Sequence, residues 1–139
     1  MPKDILLTTD QCRTFTKVGR FTPHSETPTR YGDDLFWIAA EGVMVTRDRG
    51  RSWKVMGTSI KDLKYGPFFG CSGKEMVVVR KQGFHRTTDA GEHWARLADM
   101  VVPEGQKIEL AHPGWDPIHN VLYTGFLGED VYRYGLPTR

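Results

Sequence analysis

The stretch Thr46-Arg47-Asp48-Arg49-Gly50-Arg51-Ser52-Trp53 returns one period later as Thr87-Thr88-Asp89-Ala90-Gly91-Glu92-His93-Trp94. Both fit T-x-D-x-G-x-x-W, and their aspartates lie 41 residues apart. A third copy, Thr8-Thr9-Asp10-Gln11-Cys12-Arg13-Thr14-Phe15, has its aspartate 38 residues before Asp48. There Cys12 replaces the glycine and Phe15 the tryptophan. Self-similarity at about 40 residues, carried by short strand-like runs, predicts an all-β chain of propeller-type blades, each a four-stranded antiparallel sheet.

The motif has a local physical reading. Asp48 and Asp89 are expected to turn their carboxylates onto backbone N–H groups two residues ahead, closing an Asx-type turn. Gly50 and Gly91 supply the positive φ that such a hairpin needs. Trp53 and Trp94 open the next strand and give it a large apolar anchor.

Between the motifs the same order of runs recurs. Residues 35–40 form an apolar strand, Glu41-Gly42 a turn, and residues 43–46 a strand leading into the second motif. Residues 76–80 and 84–87, joined by Gln82-Gly83, repeat that order, and residues 121–125 and 131–134 repeat it again. β-branched and aromatic residues bounded by glycine favour strands throughout. Residues 60–65 and 108–111 are expected as innermost strands. The segment 22–29 is polar and broken by Pro23 and Pro28, so the inner strand of the first full blade has a weak signal. Residues 102–105 read as a loop.

Residues 4–8 align with 42–46, so the chain enters a blade at its third strand. The last repeat runs through its own third strand, with Tyr134 and Leu136 where the motif has threonine and aspartate. The expected count is the end of one blade, two full blades and most of another, about three blades' worth. Closed propellers take four to eight. Unfinished edges are a liability unless covered, so a protein partner or an identical chain is expected to complete the blades.

Composition agrees with one globular domain spanning residues 1–139, 39% hydrophobic and 26% charged. A net charge of +2 gives no ground for a nucleic-acid or membrane-surface role. No apolar run approaches a membrane span, and Asp4 interrupts the opening residues too early for a signal peptide. The expectation is a soluble protein, cytoplasmic or assembled in a virion. Cys12 and Cys71 make no metal spacing and read as reduced thiols. The sequence calls for no cofactor, no metal and no catalytic residue.

Three groups of residues are candidates for contact with a ligand or partner. Arg47, Arg49 and Arg51, with Lys54, can grip a phosphate, a glycan carboxylate or an acidic surface; the plain alternative is a solvated hairpin tip. His85 and His93 flank Asp89, but their spacing matches no standard metal set. Trp115, Tyr123, Tyr132 and Tyr134 can stack on sugar rings, or fill the space between blades.

The three motif copies resemble the Asp-box, or bacterial neuraminidase repeat, of sialidases and sortilin-type receptors. The resemblance implies that each box forms the hairpin between the third and fourth strands of a blade. It also implies that Thr8, Asp10, Thr46, Asp48, Gly50, Trp53, Thr87, Asp89, Gly91 and Trp94 are structural. Sialidases of this family use an arginine triad, a tyrosine nucleophile and an aspartate acid/base. Their first arginine usually lies in a Phe/Tyr-Arg-Ile-Pro motif, which this chain lacks. The resemblance therefore implies the fold without the activity. The expected function is a structural or protein-interacting subunit of a larger assembly, for instance a virion or tail component. The alternatives are a glycan-binding module completed by identical chains, or a remnant or separate subunit of a sialidase-like glycoside hydrolase.

Overall fold

The computed structural model describes residues 1–81, 83–98, 110–126 and 131–135. These form four antiparallel sheets. The first is a hairpin of β1 (Lys3–Leu7) and β2 (Thr16–Phe21). The second contains β3 (Thr29–Tyr31), β4 (Asp34–Ala39), β5 (Gly42–Thr46) and β6 (Lys54–Val55). The third contains β7 (Leu63–Phe69), β8 (Met76–Arg80), β9 (Gly83–Thr87) and β10 (Ala95–Ala98). The fourth contains β11 (Leu110–Asp116), β12 (Val121–Phe126) and β13 (Val131–Gly135). In every sheet the strands pair in chain order. This is the division into repeats that the sequence predicts. Among the described residues the sheets do not close on themselves.

The sheets stack in chain order, and the two-residue period of each strand explains how. Side chains alternate between the faces of a sheet, so a strand covered on both sides must be apolar at every position. Phe36, Ile38, Val43 and Val45 of the second sheet share one core with Met76 and Val78 of the third. The residues between them, Ala39 and Met44, point the other way and meet Phe21 of the first sheet. On β8, Val77 and Val79 leave the first of these cores and join Phe84 and Leu122 of the fourth sheet in another. Val77, Val78 and Val79 are all at 0% exposure, which is why that run shows no alternation. Each such buried side chain stabilises the fold by roughly 1.5–3 kcal/mol.

The inner strands differ most from expectation. In the third sheet the inner strand is Leu63–Phe69, not residues 60–65. Asp62 has φ +59°, which breaks the extended run, while Ile60 is buried in the core as part of the connection. In the second sheet the inner edge comes in two pieces. β3 pairs with the start of β4, and Pro23 bridges Ala39 with His24 N donating to Ile38 O at 2.9 Å. In the fourth sheet β11 begins at Leu110 and continues to Asp116; Ile108 lies outside the described residues, as does the expected loop at 102–105.

Candidate functional site

The three boxes occupy the turns after β1, β5 and β9, and they share one hydrogen-bond scheme. In the second box Thr46 Oγ1 donates to Asp48 Oδ1 at 2.8 Å and accepts from Gly50 N at 2.9 Å. Asp48 Oδ1 also accepts from Ser52 N at 2.9 Å, and Oδ2 from Ser52 Oγ at 2.5 Å. The third box repeats this with Thr87, Asp89, Gly91 and His93. Gly91 N donates to Thr87 Oγ1 at 2.8 Å, His93 N to Asp89 Oδ1 at 2.9 Å, and His93 Nδ1 lies 2.6 Å from Asp89 Oδ2. The first box does so with Thr8, Asp10, Cys12 and Thr14.

The carboxylates therefore reach four residues ahead, not two. The turn is wider than an Asx turn because two consecutive residues take left-handed conformations. Their φ values are +60° and +86° at Arg49 and Gly50, and +59° and +84° at Ala90 and Gly91. Cys12 adopts φ +66° without being glycine, so the first box carries backbone strain that the other two avoid. The residue four beyond each aspartate, Thr14, Ser52 or His93, was missed in the sequence reading. Its signal is a hydroxyl or imidazole donor recurring at one motif position.

These bonds to the ionised form hold all three carboxylates at about 2. The Thr14 hydroxyl leads for Asp10, the Ser52 hydroxyl for Asp48 and the His93 backbone N–H for Asp89. A proton-transfer group works best near the ambient pH, and both oxygens of each aspartate are already engaged. The carboxylates lock the box turns. The boxes are also joints between sheets. Gly91 O accepts from Thr58 N at 2.8 Å and Glu92 O from Thr58 Oγ1 at 2.8 Å, so the third box seats on the connection leaving the second sheet. Trp53 joins Phe21 and Trp37 in an aromatic cluster with centroids 5.6–5.8 Å apart. Trp94 packs on the core between the second and third sheets.

The arginines of the second box are not brought together. Arg47 Nε lies 3.5 Å from Asp34 Oδ2. Arg51 lines a cleft beside Thr14 and Lys17 of the first sheet, while Arg47 lines another beside Ala90 and Glu92. Arg49 occupies the exposed turn between them. Trp115 packs against the core of Val77, Val79, Phe84 and Leu122. Tyr132 and Tyr134 stand on β13 opposite Thr124 and Leu122, and their side chains lie outside the described residues. His85 and His93 take different partners: His93 pairs with Asp89, and His85 Nε2 lies 3.2 Å from Arg80 Nη1. Burial, then the Arg80 charge, lowers the His85 pKa from its ordinary value, against a raising pull from the Gly83 carbonyl.

Two open grooves stand out. One, of about 500 Å³, runs along β1 and is lined by Lys3 to Leu6, Pro23 to Glu26 and Trp37. The other, of about 530 Å³, lies between the second and third sheets. Cys12 and Cys71 are exposed free thiols. Among the described residues no helix is long and apolar enough to cross a membrane.

No protein-family model matches this chain, and no curated protein matches it.

Proposed function

We propose that the chain is a non-catalytic module of propeller-type blades that works as a structural, protein-interacting subunit of a larger assembly. The observation that carries this reading is the outer edge of β1, which among the described residues pairs with β2 alone. In the second sheet, β4 lies against β5 on the side away from the box hairpin. In the first sheet the same side of β1 opens onto the 500 Å³ groove. By sequence alignment Leu6 stands where β5 has Met44 and β9 has His85. Met44 is 6% exposed and His85 8%, but Leu6 is 57%. A strand of another polypeptide added there would satisfy the unpaired edge and cover Leu6.

The non-catalytic part of the reading rests on the engaged box carboxylates and on the missing arginine motif. Light scattering at micromolar concentration, with and without candidate assembly partners, tests the proposal. The expected result is association that Leu6→Lys weakens. A monomer that no partner engages, or association indifferent to Leu6→Lys, refutes it. Turnover of a fluorogenic sialoside that one arginine or tyrosine substitution abolishes overturns the non-catalytic half separately.

A further inference from the structure

Superposing the repeats by strand register exposes one column of positions whose chemistry inverts. In the second sheet Ala39 pairs with Gly42, and Met44 with Val55. In the third sheet Arg80 pairs with Gly83, and His85 with Arg96. The incoming connection aligns through an equivalent backbone bond, Ala40 N to Thr22 O in one repeat and Lys81 N to Asp62 O in the next. Phe21 thus corresponds to Lys61. At the second sheet this space is filled by Ala39, Met44 and Val55 together with Phe21 of the first sheet, an apolar cluster. The third sheet puts Lys61, Arg80, His85 and Arg96 in the same four places. Trp53 and Trp94 are the common element, and Val78 replaces the larger Trp37, which leaves room. The fold tolerates an apolar cluster here, so the basic set is not a requirement of the architecture.

The basic set lines the 530 Å³ groove, with Trp94 in its wall and His93 and Glu92 beside it. It is ordered by its own bonds. Arg80 Nε donates to Lys61 O at 2.8 Å and Arg80 Nη1 to His85 Nε2 at 3.2 Å. That bond fixes the His85 tautomer, placing the remaining proton on Nδ1. His85 is 8% exposed; the Gly83 carbonyl pulls on its ring but falls short of a formed hydrogen bond, so Nδ1 is left without a full partner. Trp94 Nε1 is buried without an acceptor, as is Trp53 Nε1 in the apolar counterpart, so the His85 nitrogen is what sets this groove apart. An underbonded imidazole N–H in a groove lined by Lys61, Arg80 and Arg96 calls for an anion rich in acceptors.

We propose that this groove binds a tetrahedral oxyanion, phosphate or sulfate, held by Arg80, His85, Lys61 and Arg96. The site is independent of the β1 edge.

Titrations with inorganic phosphate and inorganic sulfate at constant ionic strength, set with chloride, test it by thermal unfolding and by amide and indole NMR. Binding raises the unfolding midpoint and shifts the Trp94 indole resonance saturably. Glucose 6-phosphate and glucose 6-sulfate then show whether the anion is recognised free or as an ester. Arg80→Gln is expected to weaken binding at least roughly ten-fold, while Arg49→Gln leaves it unchanged. If Arg80→Gln fails to fold, the quadruple change to the second-sheet set, Lys61→Phe, Arg80→Ala, His85→Met and Arg96→Val, supplies the non-binding variant, and Arg96→Gln the single one. A response to phosphate and sulfate no greater than to chloride overturns the proposal. So does undiminished binding in the folded variants.

Discussion

Replacing Gly57 by alanine separates the docking of a box turn on its neighbouring sheet from the strain of the backbone alone. Gly57 has φ +58°, and a Cβ built there falls on the Gly91 backbone and 2.8 Å from Glu92 N. Gly32 has nearly the same φ, +60°, and a Cβ there meets nothing within 4 Å. The two substitutions therefore share the left-handed penalty of about 1–2 kcal/mol and differ in one contact. The obstacle at Gly57 is main chain held by the Thr58–Gly91 bond, so no side chain can swing aside. Overpacking adds about 1–3 kcal/mol, which puts Gly57→Ala at roughly 2–5 kcal/mol and Gly32→Ala at about 1–2 kcal/mol. Urea unfolding followed by fluorescence reads the difference as a fall in midpoint at unchanged slope. Equal losses at the two glycines would refute the claim that the box seats the third sheet on the second.

Other consequences follow from the same geometry. Thr46→Val and Thr87→Val each leave a buried glycine N–H without its acceptor and are expected to lose about 1–3 kcal/mol. Thr8→Val is expected to lose less, because Cys12 is exposed, and denaturant midpoints of the three variants check the order. The box aspartates have folded pKa values lowered to about 2 from 3.8. Their stabilisation is therefore full above about pH 4 and disappears as the pH falls through that interval. Midpoints measured from pH 5 to pH 2 are expected to drop, and less so in Asp48→Asn. His93 moves the other way, its pKa raised first by the bond to Asp89 and then by that charge. That pair stabilises fully below the ordinary histidine value and is lost as the pH rises through the raised one, which an NMR titration of the ring records. Leu63 is 1% exposed in the core between the second and third sheets, so Leu63→Ala is expected to cost about 2–5 kcal/mol.

The sequence by itself determined the all-β class, the paired strands that flank each box and the position of each box turn. It did so because a hairpin box is a local structure: the side chains of Thr46 and Asp48 bond to Gly50 and Ser52 within one turn. What the tertiary structure decided involves residues far apart in the chain. The inner strands shifted because Asp62 and the Thr22–His24 segment are positioned by neighbouring strands, not by their own pattern. The box arginines, adjacent in sequence, diverge into different clefts because alternate residues of a turn face different sheets. Trp115 was drawn into the core between the third and fourth sheets. Lys61, Arg80, His85 and Arg96 look like scattered surface cations in the sequence, and only the pairing of β8, β9 and β10 brings them into one groove. Long-range contact, unlike a turn, leaves its mark on no single window of sequence.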